Sequence, residues 1–111
     1  MKVNELLAKL ELKQVAGESG NENAIEGVYI GDLLSLVMSR AQEGNLWITI
    51  QAHENVVAVA SLVDVSAVIV AEGIHVEAGT IAKANELDIP IFESKSTAFD
   101  LAKALIEAGI S

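Results

Sequence analysis

The chain has no cysteine, one proline, and only four aromatic side chains: one Trp, one Tyr and two Phe in 111 residues. Without cysteine there is no disulfide framework, no thiolate metal site and no cysteine nucleophile. Positive charge is scarce too, with seven basic against sixteen acidic residues and a formal charge of −9. That balance speaks against nucleic acid, whose phosphates want a basic face and whose bases want rings to stack on. A long apolar run is also missing. Residues 56–71 come nearest, but Ser61, Asp64 and Ser66 break them, and a bilayer span needs roughly 20 mostly apolar residues. The first ten residues reach Lys2, Glu5 and Lys9 too soon for a signal peptide. The expectation is a cytoplasmic protein with no membrane or nucleic-acid partner.

What the chain does have is apolar aliphatic bulk. Apolar residues make up 51%, too many for a disordered tail, and the length suits one domain, 1–111. The hydrophobic period alternates between helical and extended. Leu6, Leu7 and Leu10 give a short helical stripe, and 13–16 reads as a strand. Residues 17–23 form the clearest loop, with Gly17, Gly20, Asn21 and Asn23. Residues 25–30 form a candidate strand. Gly31-Asp32 then opens a helix with Asp32 as N-cap and Leu33, Leu36 and Val37 on its apolar side. Strands follow at 46–50, 67–71 and 90–92, the last with Pro90 at its start. Helices follow at 56–63, at 78–87 with Ile81, Ala84 and Leu87 inward, and after Ser96 with Phe99, Ala102 and Ile106 inward. Trp47 reads as core, and Met38 as core or interface filler. Alternating strands and helices predict a three-layer α/β/α domain with a mostly parallel sheet of about five strands.

In such a sheet, ligands bind at the carboxyl ends of the strands. Three turns fall there, carrying Gln51, His53 and Asn55; Glu72, Gly73 and His75; and Glu93, Ser94 and Ser96. The candidate ligand-binding residues are Gln51, His53, Asn55, Glu72, Ser94 and Ser96. Established catalytic motifs fail residue by residue. His53-Glu54-Asn55-Val56-Val57 has Val57 where a zinc protease needs its second histidine. Glu72-x-x-His75 has di-iron spacing but sits in a turn rather than on facing helices. His53 and His75 would have to meet to make even a minimal metal site, so neither a metal nor a cofactor is expected. Gly27 to Asp32 lacks both the Lys-Ser/Thr ending of a P-loop and the G-x-G-x-x-G spacing. No G-x-S-x-G precedes a helix.

Four segments together resemble the DRTGG domain family: Gly27-Val-Tyr-Ile-Gly31-Asp32-Leu33-Leu34-Ser35, Trp47-Ile-Thr-Ile-Gln-Ala-His-Glu-Asn-Val-Val57, Ala67-Val-Ile-Val-Ala-Glu-Gly-Ile74 and Ile81-Ala-Lys-Ala-Asn-Glu-Leu-Asp-Ile-Pro90. The resemblance spans nearly the whole chain. In that family a strand ending in Thr-Gly-Gly is followed by Asp-Arg-x-Asp-Ile. Matched from Thr49, those positions hold Ile50, Gln51, Ala52, His53, Asn55 and Val56 here, so the expectation is a divergent, stand-alone branch. The resemblance implies a non-catalytic accessory module for regulation, ligand sensing or self-association, like those beside CBS domains in regulated pyrophosphatases and in phosphotransacetylase-type chains. The HPr kinase N-terminal domain is similar.

Three functional readings follow. The first is a regulatory or interaction module, expected to be a homodimer with a possible protein partner, because the nearly all-apolar helix 56–63 needs cover on more than one side. The second is a small-molecule sensor, with a nucleotide among the ligands that would suit the strand ends. The third is an enzyme, which would have to use His53.

Overall fold

The computed structural model describes residues 1–110. Five strands form one sheet: β1 (Lys13–Ala16), β2 (Val28–Ile30), β3 (Leu46–Thr49), β4 (Ala67–Val70) and β5 (Ile91–Glu93). Their order is β1-β5-β4-β3-β2, with β2 to β5 parallel and β1 antiparallel to β5. The helices are α1 (Val3–Lys9), α2 (Leu34–Arg40), α3 (Asn55–Val63), α4 (Ala78–Glu86) and α5 (Ala98–Glu107).

The topology fixes the layers. From β2 to β5 each parallel strand lies beside the one before it. Right-handed crossovers taken in one direction place every connecting helix on the same face. Accordingly α2, α3 and α4 share one face, where Val37, Val56, Val57, Ala60 and Ala84 pack on Trp47, Val68, Val70 and Ile91. The terminal helices cover the other face, where Leu6, Leu101 and Leu105 meet Leu46, Ile48, Ile69 and Phe92. Neighbouring residues of a strand alternate between the two cores, as the pleat requires. This is the expected α/β/α architecture.

Several local expectations are corrected. The strand expected over 25–30 is shorter, because the Ile25 and Glu26 amides donate instead to Met1 O and Gly44 O. Asp32 does not cap α2: the helix starts at Leu34 with Leu33 as its N-cap. Leu33 is 62% exposed, Leu36 and Met38 also face outward, and Val37 alone of that helix is buried. Leu87 lies outside α4 and is exposed, leaving Ala84 and Thr80 as its buried residues. In α5 the expected inward stripe is turned outward at Phe99 and Ile106, with Ala102 half-buried. Phe99 is 76% and Ile106 68% exposed, while Leu101 and Leu105 fill the core. Thr97, not Ser96, caps α5, its Oγ1 accepting from the Asp100 amide at 3.1 Å. The near-continuous apolar surface of α3 is covered from within the chain, by the sheet below it and by α2 and α4 on either side. Leu62 faces outward.

The loop at 17–23 contains one 3-10 turn, Glu18–Gly20. The Gly17 amide donates to Asn85 Oδ1 at 2.8 Å, and Ser19 hydrogen-bonds Asp88. Gln14 and Asn21 exchange amide bonds of 2.7 and 2.8 Å. Ala16 pairs with Ile91 at the start of β5, so this loop is pinned at the amino end of β5, away from the carboxyl ends of the parallel strands.

Candidate functional site

The connection after β4 leads to α4 on one face, and the connection after β5 leads to α5 on the other. Where consecutive loops leave a sheet toward opposite faces, a crevice opens outside the strand ends. Two backbone bonds bridge the crevice: Gly73 N–H to Ser94 O (2.8 Å) and Glu72 N–H to Ser96 O (2.9 Å). Two hollows remain beside this bridge. The larger, about 430 Å³, is lined by Lys13, Gly73, His75, Glu93, Ser94 and Lys95. The smaller, about 320 Å³, shares Lys13, Glu93, Ser94 and Lys95 and adds Glu11, Leu12 and Ser96.

Lys13 reaches the crevice through the sheet register, which sets it opposite Glu93 across the β1–β5 pair. Phe92 faces the α5 side and Ile91 the α4 side, so alternation turns Glu93 toward the β4–α4 loop. There Glu93 Oε2 accepts from the Val76 amide at 2.8 Å and Oε1 meets His75 Nδ1 at 3.2 Å. The Glu93 side chain is 12% exposed, while the His75 ring stands out in solvent. Burial opposes ionisation of Glu93. The Val76 amide, the His75 ring and the nearby Lys13 charge together outweigh it and hold the carboxyl below its ordinary value. Ser94 is buried, and its Oγ accepts from the Ser96 amide at 3.1 Å. Glu72 and Gly73 both adopt left-handed backbone, with φ of 66° and 70°.

The sequence-derived candidates divide between two neighbouring strand ends. Ser94 lines both hollows, Ser96 lines the smaller, and Glu72 belongs to the bridging turn. Gln51, His53 and Asn55 lie at the end of β3, where they are occupied with local structure. The Gln51 side chain donates to Asp32 O at 3.0 Å, and its amide to Thr49 Oγ1 at 3.1 Å. His53 Nδ1 accepts from the Asn55 amide at 3.2 Å, at the start of α3. Lys13 and Lys95 were not among the candidates. Lys95 is central to the Ser94-Lys95-Ser96 turn, whereas Lys13 becomes visible only once β1 is known to pair with β5. His75 is taken up by Glu93, and no group of three or more metal-ligating side chains gathers among the described residues. No helix among them is long and apolar enough to cross a membrane.

Fold and crevice together define a small α/β module with one covered, mostly parallel sheet and a ligand-sized cleft where its loops diverge. The DRTGG domain model matches residues 5–108, and the chain belongs to that family. It is similar to the CBS and DRTGG domains of the regulatory region of Clostridium perfringens pyrophosphatase, solved in complex with the activator diadenosine tetraphosphate. The TM-score is 0.78 at 16% identity, over 96% of this chain and 46% of that one. The chain thus spans about half the length of that neighbour, and the likeness is one of fold. Among curated proteins none matches.

The turn from β3 into α3 has a structural role of its own. Neither Ile50 nor Gln51 is left-handed, so the turn after β3 does not demand glycine. Ala52 O accepts from Thr80 Oγ1 at 2.9 Å, fastening the turn to α4.

Proposed function

We propose that the chain is a non-catalytic regulatory module that responds to a small molecule bound in the β4–β5 crevice. The observation that carries this reading is the position of a cleft of about 430 Å³ where the loops of the sheet diverge, a size in the small-ligand range. A ligand there touches turns that lead to helices on opposite faces, so its binding is felt by both helical layers. Kinship with a domain that elsewhere forms part of a pyrophosphatase's regulatory region supports the same role. The reading is tested by native mass spectrometry after incubation with a metabolite extract, followed by amide-shift mapping of the species retained. A discrete added mass with shifts at Gly73, Ser94 and Lys95 is expected. A bound species mapping to Gln51, His53 and Asn55 would move the site to the end of β3, and no added mass would remove the sensor.

Self-association is a second reading, favoured by the outer face of α5. Phe99 and Ile106 stand out there. Beside them is an apolar hollow of about 210 Å³ lined by Val28, Ala102, Leu105, Ile106 and Ile110. A ridge and a hollow on one patch are what a two-fold, self-complementary contact requires. A light-scattering mass equal to the monomer at high micromolar concentration would remove this reading.

A further inference from the structure

We infer that the β4–β5 crevice takes a small molecule bearing a phosphate group, with Lys13 and Lys95 as its cationic ligands. The inference rests on the reading that this crevice is the ligand site and adds the chemical class of the ligand. The chain has only seven Lys and Arg residues against sixteen acids, so where its positive charge stands is informative. Lys2 pairs with Glu22 and Lys83 with Glu86, and Lys9, Arg40 and Lys103 line neither hollow. Lys13 and Lys95 both line the two hollows, and among the described residues neither takes part in an ion pair.

The acid between them does not neutralise them by contact. Glu93 has its two oxygens turned to the Val76 amide and the His75 ring. It lines both hollows with only 12% of its side chain exposed, while the two lysines stand exposed at the opening. The site is also open to backbone approach: apart from Gly73 and its two chain neighbours, nothing lies within 4 Å of where a Cβ on Gly73 would sit. Lysine rather than arginine lines the crevice. An ammonium is a compact point charge on a flexible stem, and two of them at one opening suit the concentrated negative charge of a phosphate group. The cleft exceeds the size of a phosphate group alone, so the ligand carries an organic body that fills the rest.

The test titrates 15N-labelled protein with inorganic phosphate, with adenosine monophosphate and with adenosine, and follows amide shifts. Wild type is compared with the Lys13→Ala/Lys95→Ala pair and with Lys13→Arg/Lys95→Arg. Both lysines are exposed, and unchanged shifts away from the cleft confirm that each variant is folded. Phosphate and adenosine monophosphate are expected to move the amides of Gly73, Ser94 and Lys95. The alanine pair should weaken adenosine monophosphate at least about tenfold, as loss of charge-assisted contacts does, and the arginine pair should retain binding. If adenosine moves the same amides as strongly as its monophosphate, or the alanine pair binds as wild type does, the phosphate assignment is overturned while the crevice stands as a ligand site. Silence toward both phosphates also overturns the assignment. A species from the metabolite extract that still maps to these amides would then keep the sensor reading and point to an uncharged or cationic ligand.

Discussion

Thr49 donates its hydroxyl to Asp32 Oδ1 across 2.9 Å, joining the ends of β2 and β3. The same oxygen accepts from the Ile50 amide at 2.9 Å, and Gln51 reaches back to Asp32 O. One carboxylate thus sets the path of two strand-ending turns. Replacing Asp32 by Ala should cost about 1–3 kcal/mol, the price of losing a charged acceptor from partly buried donors. Asp32→Asn keeps Oδ1 and should cost less. Urea denaturation of the three proteins checks the order. Equal loss in both variants would mean that the charge, not the acceptor, matters.

Glu93 carries the pH dependence of the cleft. Its folded carboxyl titrates below the ordinary 4.5 because the Val76 amide, His75 and Lys13 overcome the cost of burial. A carboxyl depressed on folding adds stability that is present above its unfolded value and lost as pH falls through the lower folded one. Wild type should therefore lose stability more steeply than Glu93→Gln on acidification below pH 4.5. At neutral pH the glutamine variant should be the less stable of the two. Melting curves collected across that range give the slopes. Parallel curves would show that the carboxylate adds nothing to the fold.

Gly17 has a φ of 72°, and a Cβ placed there would stand 2.0 Å from Ile89 O. Backbone carbonyl cannot swing aside as a side-chain tip can. Gly17→Ala should therefore destabilise by roughly 3 kcal/mol or more, combining left-handed strain with overpacking. Gly73 also has a left-handed φ, of 70°, but faces open space. Gly73→Ala should therefore cost only about 1 kcal/mol. The comparison separates conformational strain from collision, and thermal melts of the two variants measure it.

The two apolar stripes of α5 make opposite predictions. Leu101→Ala and Leu105→Ala remove buried side chains and should each cost about 2–5 kcal/mol. Phe99→Ser with Ile106→Ser removes exposed ones and should leave the melting temperature nearly unchanged. If the outer face of α5 is a dimer contact, that pair should lower the light-scattering mass to the monomer. Destabilisation by the serine pair without any change in mass would instead assign Phe99 and Ile106 to the fold.

The sequence by itself determined the order and kind of the elements. Buried β-branched runs at 67–71, Pro90 before the last strand, and helical spacing in between are local signals that burial did not override. It also determined that polar turns would collect at the carboxyl ends of parallel strands, because that follows from alternation alone. Tertiary structure decided which stripe of α5 faces inward. Phe99–Ala102–Ile106 and Leu101–Leu105 both have helical spacing, and only the position of the sheet chooses between them. It decided Asp32's role as well, since a capping acceptor and a partner for Thr49 look alike in sequence. Lys13 and Glu93 are far apart along the chain and become neighbours only because β1 pairs antiparallel with β5. Strand pairing is a long-range choice with no local signature, so nothing near Lys13 in the sequence places it at the crevice.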